Sequence, residues 1–319
     1  MADLPPSIEI GEEGPREGFQ IEKGPIATAD KITVIDALSA TGLKHIQVGS
    51  FVSPKLVPGW ADAEAVFDGF TPATGVTYEA LWFNAAGLQR ALAFHHKLNL
   101  VGGIALSASE AFSRKNLNRD RLGQIEAMRR QTQAHLLADV PVKRIGIMAA
   151  FGCNYGGDIA PARVIATIED GLAIAREAGI TIKRLSLADT MGWATPARVS
   201  RLIGEVRSRW PEFELSLHLH DTRGLGIANA AEGLRLGVRR FDSTVAGLGG
   251  CPFAGQPGAP GNIATEELVL LCEELGVATG VKLDALIEVG RLAERIVGRT
   301  LPSTLLRAGS LAALRRQAQ

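Results

Sequence analysis

Apolar positions along this chain fall into short β-rich runs separated by longer stretches with helical spacing. The runs are SIEI (7–10), HIQVGSF (45–51), VTYEALW (76–82), LVGGIAL (100–106), VKRIGIMAA (142–150), TIKRLSLAD (181–189), FELSLHLHD (213–221) and RRFDSTVAG (239–247). Between them, apolar residues recur with the helical period over 28–42, 61–69, 84–97, 120–138, 161–178, 196–209, 225–237 and 264–275. Several of these stretches are closed by glycine, at Gly42, Gly179, Gly237 and Gly276, as helix C-termini often are. Alternation of strand and helix predicts parallel strands joined by helical crossovers. Eight such units in 319 residues point to an α/β chain closed as a (β/α)8 TIM barrel. An open doubly wound sheet is the alternative, but no GxGxxG follows the first strand and no shift of composition marks two halves. The expected organisation is a catalytic barrel over residues 1–280 and a C-terminal helical extension, 281–319, packed on it.

Composition narrows the function classes. With 46% apolar residues the chain can bury a large core. Its 34 basic residues cancel 34 acidic ones, so nothing favours nucleic acid or an anionic membrane as a partner. The start, MADLPPSIEI, has no basic stretch leading into an apolar one, and no apolar run approaches the roughly 18 residues of a membrane span. A cytoplasmic, non-membrane protein is expected. The three cysteines, Cys153, Cys251 and Cys272, show no paired metal spacing and suit a reducing compartment.

In a barrel of this kind the chemistry sits where strands end and loops begin, at the C-terminal face. Strand one runs into GEEGPREGFQ, with Arg16 and Glu17; strand two carries Gln47 and ends near Ser50; strand six ends in Asp189; strand seven ends in LSLHLHD. Residues 218 and 220 share one face of a strand, so both imidazoles can reach the same point in the barrel mouth. Two such imidazoles with a carboxylate and an amide oxygen make an N/O site for a divalent cation: Mg²⁺, Mn²⁺ or Zn²⁺. Core histidines bonded to backbone carbonyls are the plain alternative, and the HxHD pattern at the close of an apolar strand favours the metal. Cys251 lies in a glycine-rich loop that can pack little, which favours a reactive thiol; Cys272, inside an apolar helix, reads as core, and Cys153 is ambiguous. His95, His96 and His135 fall on helical stretches where surface roles are expected, and His45 precedes a strand at the opposite end.

These residues resemble 3-hydroxy-3-methylglutaryl-CoA lyase and its relatives among the barrel-fold, metal-dependent carbon–carbon lyases. The resemblance runs through GPREGFQ, GSFVSPKLVP (49–58), SASEAFSRKN (107–116), FGCNYGGDIAP (151–161), LADTMGWATP (187–196), HLHDTRGLGIAN (218–229), STVAGLGGCPFA (243–254) and GNIATEEL (261–268). It implies His218, His220 and Asn262 as metal ligands, completed by the acidic Glu17. It implies Arg16 as the charge that stabilises an enolate. Cys251 matches a loop cysteine that moves protons and covers the substrate. Asp189 matches an acid near metal and substrate, and His218 is the leading candidate for the base. The implied reaction is a retro-aldol or retro-Claisen cleavage of a 3-hydroxyacyl-CoA to an acyl-CoA and a keto acid, with CoA as part of the substrate and a homodimer as the assembly. Candidates to hold the CoA are Lys23, Asn84, Ser107 and Lys115.

Three departures accompany the resemblance. The family has aspartate where this chain has Glu17, and the added methylene moves the carboxylate by about 1.5 Å. The family has glutamate where this chain has Gln47, so a charge beside Arg16 is expected to be missing. Cys251 and Asn262 also stand further apart here, the extra residues lying in QPGAPG. All three fall at the site, which reads as divergence in substrate. The alternatives are a citramalyl-CoA or longer branched 3-hydroxyglutaryl-CoA lyase, a 2-oxo-acid aldolase or synthase of the same superfamily, and a catalytically silent binding homologue.

Overall fold

His45–Ser50, the strand HIQVGS, is buried over five of its six residues. A strand covered on both faces needs a continuous apolar run rather than alternation. In the computed structural model, which describes residues 4–22, 24, 26–249 and 259–318, this strand is one of eight. They are β1 (Glu9–Glu12), β2 (His45–Ser50), β3 (Thr77–Leu81), β4 (Gly102–Ser107), β5 (Val142–Met148), β6 (Arg184–Ala188), β7 (Glu214–His218) and β8 (Arg240–Ser243). Their order in the sheet is β3-β2-β1-β8-β7-β6-β5-β4, and helices alternate with them along the chain. The fold class is therefore the expected (β/α)8 barrel with additional C-terminal helices.

The chain divides into two compact units. One is built mainly from Leu100–Phe241; the other joins Pro6–Asn99 to residues 242–249 and 260–318. In the first, β4 to β7 pair in parallel, in register from Arg144↔Arg184 and Arg184↔Glu214 onward. In the second, β1 pairs with β2 and β2 with β3, and a register shift interrupts the latter pair between Gln47 and Gly49. Phe51, Phe67 and Phe94 stack in the core of that second unit, with ring centroids 4.4–5.6 Å apart.

Helices lie close to the expected spans: Thr28–Ser39, Ala63–Gly69, Ala85–Leu92, Arg121–Leu137, Pro161–Glu177, Pro196–Arg209, Gly226–Arg235 and Thr265–Glu274. Side chains cap several of them, Asp120 accepting from Gly123 N and Thr195 from Arg198 N. The region after residue 281 forms three helices, Leu283–Val297, Leu305–Ala308 and Leu311–Gln317, and all belong to the second unit. Among the described residues no helix is long and apolar enough to cross a membrane.

Three sequence expectations are corrected. SASEAFSRKN, given no element of its own, forms a helix at Glu110–Leu117, started by Ser109 accepting from Phe112 N. Its Phe112 packs with Ala149, Cys153 and Met191, which makes Cys153 a small core residue. His135, expected at the surface, is 1% exposed, because Gly102 leaves room for its ring: a Cβ there would lie 2.7 Å from Nδ1. Burial pulls its pKa down. His95 and His96 fall beyond the helix Ala85–Leu92, the His95 Nδ1 lying 3.0 Å from the Leu92 carbonyl oxygen. Cys272 is core as expected, its thiol pushed up to about 12 by burial and, less, by Glu273. His45 begins β2, 3.6 Å from Glu9 at the start of β1.

Candidate functional site

In the second unit, β1 gives way to a single π-helical turn, Gly14–Gly18, that carries Arg16 and Glu17. Such turns are rare and concentrate at functional sites. A buried carboxylate holds this one in place. Glu12 Oε1 accepts from Gly14 N at 2.7 Å and from Val245 N at 2.8 Å, while Oε2 accepts from Thr265 Oγ1 at 2.6 Å. Burial raises the Glu12 pKa to about 7 even against these bonds. Gly14 is required because a Cβ would sit 2.5 Å from Glu12 Oε1. From the other side, Trp60 Nε1 donates to the Arg16 carbonyl at 3.0 Å, and the buried Lys31 ammonium lies 4.9 Å from the centre of the Trp60 ring.

The Arg16 guanidinium is enclosed by acceptors. Its Nε donates to Gln47 Oε1, its Nη2 to Glu13 Oε2 at 2.5 Å, and its Nη1 lies 3.0 Å from Glu17 Oε2. Burial works to lower the Arg16 pKa, but the charges of Glu13, Glu17 and Asp242 prevail and raise it. The expectation that Arg16 lacks a neighbouring charge, drawn from Gln47, is thus corrected: Glu13, one residue beyond β1, provides one.

Asn262 lies beside the same turn. It is 1% exposed, and among the described residues neither Oδ1 nor Nδ2 has a hydrogen-bond partner. A Cβ on Gly249, which has φ +93°, would lie 3.0 Å from Asn262 Nδ2 and 3.5 Å from Glu17 Cγ, so these two side chains flank one glycine. An amide buried with both ends unmet is costly unless a ligand completes it.

The first unit holds the remaining groups. His218 ends β7 and His220 follows two residues later, with the two Nε2 atoms 3.3 Å apart. Nitrogens bound at about 2.1 Å to one ion with tetrahedral or octahedral angles would be about 3.0–3.4 Å apart, so the pair fits a divalent cation. Asp221 turns to the backbone instead, its Oδ1 accepting from Gly226 N at 2.7 Å. Asp189, just past β6, has backbone N donating to the His218 carbonyl at 2.8 Å. Its Oδ1 accepts from Trp193 N at 2.6 Å and Ala194 N at 3.0 Å, whereas the buried Oδ2 has no partner among the described residues. Burial lifts this carboxyl to about 6, against the pull of those bonds and of the His218 and Arg223 charges.

The second unit therefore brings together Arg16, Glu17, Gln47 and Asn262, and the first brings together His218, His220 and Asp189. Lys23 and Cys251 lie outside the described residues. Of the other CoA candidates, Asn84 caps the helix Ala85–Leu92 by accepting from Gly87 N at 2.9 Å. Ser107 is buried, its hydroxyl donating to the Ser109 carbonyl. Lys115 lies over the Tyr155 ring, 4.4 Å from its centre. Sequence reasoning missed Glu12 and Glu13; the signal available was a pair of adjacent glutamates at the end of an apolar strand.

Comparison with known proteins gives the family. Residues 7–293 match the HMGL-like family model. The 3-hydroxy-3-isohexenylglutaryl-CoA/hydroxy-methylglutaryl-CoA lyase of Pseudomonas aeruginosa is 40% identical over 299 residues, 93% of this chain and 95% of that protein. The crystal structure of the HMG-CoA lyase of Bacillus subtilis superposes with a TM-score of 0.87 at 38% identity, covering 96% of this chain and 98% of that one. An HMG-CoA lyase from Acinetobacter baumannii, solved with coenzyme A and 3-methylmalate, has a TM-score of 0.84 at 36% identity and covers 98% of each chain. The chain belongs to the HMGL-like family, the 3-hydroxy-3-methylglutaryl-CoA lyases, and is a carbon–carbon lyase.

Proposed function

We propose that the protein cleaves 3-hydroxy-3-methylglutaryl-CoA to acetyl-CoA and acetoacetate. The observation that carries this reading is the match, over almost the whole length, to lyases named for that ester. Glu17, His218, His220 and Asn262 would hold a divalent cation, Mg²⁺ or Mn²⁺ suiting the carboxylate and amide donors and Zn²⁺ the imidazoles. When bound, it would polarise the substrate oxygens and lower the pKa of the hydroxyl.

The chain's own groups do the rest. His218 is a candidate base, but an imidazole nitrogen engaged with a cation has no lone pair left for a proton. We therefore assign proton acceptance to Asp189, whose Oδ2 is buried without a partner among the described residues. As the hydroxyl proton leaves, the C–O bond becomes a carbonyl and the electron pair of the neighbouring C–C bond passes into the thioester enolate. The Arg16 guanidinium stabilises that developing oxyanion, already oriented before the substrate arrives. Cys251 delivers the proton that turns enolate carbon into the methyl group of acetyl-CoA. Lys23, Asn84, Ser107 and Lys115 remain our candidates to hold the CoA, in a cytoplasmic homodimer.

A second reading is favoured by the Pseudomonas relative, whose name includes a longer branched ester: a 3-hydroxyglutaryl-CoA with a bulkier 3-substituent. A panel of 3-hydroxyacyl-CoA esters incubated with protein and Mg²⁺ or Mn²⁺, followed by mass spectrometry, tests both. The primary reading expects acetyl-CoA and acetoacetate from the methyl ester. Cleavage confined to a bulkier ester would replace it with the second, and a metal-loaded protein that cleaves neither would overturn both.

A further inference from the structure

The family resemblance implies a glutamate at position 47, next to Arg16, and this chain has an amide there. The surroundings of Arg16 show where the charge has gone. Glu13 meets Nη2 from the end of β1, Gln47 meets Nε from β2, and Glu17 meets Nη1 from the turn itself. Each guanidinium nitrogen thus faces one acceptor, and of its five N–H groups two remain to address a substrate oxygen. The side chains are well shielded, Glu13 at 11% exposure and Arg16 at 13%, so this ion pair is screened by water far less than a surface pair. Gln47 stands at the register shift between β2 and β3. Irregularities of this kind re-aim side chains beside active sites.

We infer that Glu13 is the positioning residue of this active site, supplying from the end of β1 the counter-charge that the family carries on β2. The inference rests on the reading of Arg16 as the group that holds the enolate oxygen. Glu17 cannot fill this role alone, because a carboxylate that serves a divalent cation has its charge shared with that cation. Glu13 supplies a second carboxylate in direct contact with Nη2, beside the Gln47 carbonyl oxygen that meets Nε on the same edge of the guanidinium.

Transposing the charge tests this. Glu13→Gln should lower kcat on the cleaved ester by about ten- to a hundredfold, the cost of a guanidinium out of line, while KM changes by less than about threefold. The double variant Glu13→Gln/Gln47→Glu should recover most of that loss. Glu13→Asp, with the charge kept and the reach shortened, should fall between. A readout independent of turnover is the Arg16 Nε–H resonance in ¹⁵N-labelled protein: its protection from solvent exchange should fall in Glu13→Gln and return in the double variant. Thermal melts distinguish misplacement from misfolding, and where the glutamine variant melts early the aspartate variant decides. Wild-type kcat and Arg16 protection in Glu13→Gln, or a double variant no better than the single one, overturn the proposal. If the unmodified protein cleaves no ester, the assigned reaction fails, and the Arg16 resonance still decides the role of Glu13.

Discussion

Glu12 and Asp189 are both carboxylates at the C-terminal end of a barrel strand, both almost wholly buried, and both raised in pKa by that burial. They differ in what their second oxygen meets. Glu12 has both oxygens bonded, to two backbone N–H groups and one hydroxyl. Asp189 has one oxygen bonded twice and the other, among the described residues, not at all. Burial and a displaced pKa therefore do not separate a structural acid from a chemical one; the count of donors around each oxygen does. Glu12 holds the Arg16 turn in place, whereas the open lone-pair face of Asp189 is what the proposed acid–base role would use.

The sharpest way to break this contrast is Asp189→Asn. The asparagine keeps Oδ1 and both backbone bonds, so the melting temperature should hardly move, whereas turnover should fall by about 10²–10⁴ for loss of an acid–base group. A fall in stability with activity intact would make Asp189 a second Glu12. Next in size, Glu12→Ala strands three buried donors and should cost about 3–5 kcal/mol in denaturant unfolding; a cost under about 1 kcal/mol would remove the clamp.

The pH dependence of stability sharpens the comparison further. The folded protein holds the Glu12 proton up to about pH 7, whereas the unfolded chain loses it near 4.5. Between these values the folded state binds more protons, so stability is greatest below the lower one and declines as pH rises through the upper one, by roughly 3 kcal/mol. Glu12→Gln keeps an acceptor for Gly14 and Val245 and a donor toward Thr265, and should flatten that decline. An unchanged slope in unfolding curves from pH 4 to 8 would show that Glu12 is not its source. The smallest effect is at Asn84: if its capping bond is its whole role, Asn84→Ala should cost about 1 kcal/mol and leave KM for the ester unchanged. A raised KM would give it a place in holding CoA.

The parts of the site legible in sequence were those whose chemistry forces a motif. HxHD places two imidazoles on one face of a strand by the period of the strand alone, and GPRE after an apolar run marks a strand end. The strands at 45–50 and 77–81 lie within one residue of the β-rich runs 45–51 and 76–82, whereas the run 213–221 forms a strand only over 214–218. What could not be read depends on partners far along the chain. Glu12 and Glu13 look alike in GEEG, yet one turns to Thr265 and the other to Arg16. His135 counts as polar in any helical pattern, and only the space at Gly102 makes it a core residue. The helix Glu110–Leu117 has a polar face, so its stability comes from Phe112 and the Ser109 cap rather than from an apolar stripe.

The Glu12 clamp also bears on how the chain acquires its activity during synthesis. Its hydroxyl donor is 253 residues downstream and its second amide donor 233. On a ribosome, β1 emerges first and then waits, its acidic end unmatched, until nearly the whole polypeptide has followed. Chains released before Thr265 can form β4 to β7 in full but lack the hydroxyl donor that completes the Glu12 clamp. Closing so long a loop is an entropically slow step, which makes completion of the arginine turn a late event in folding.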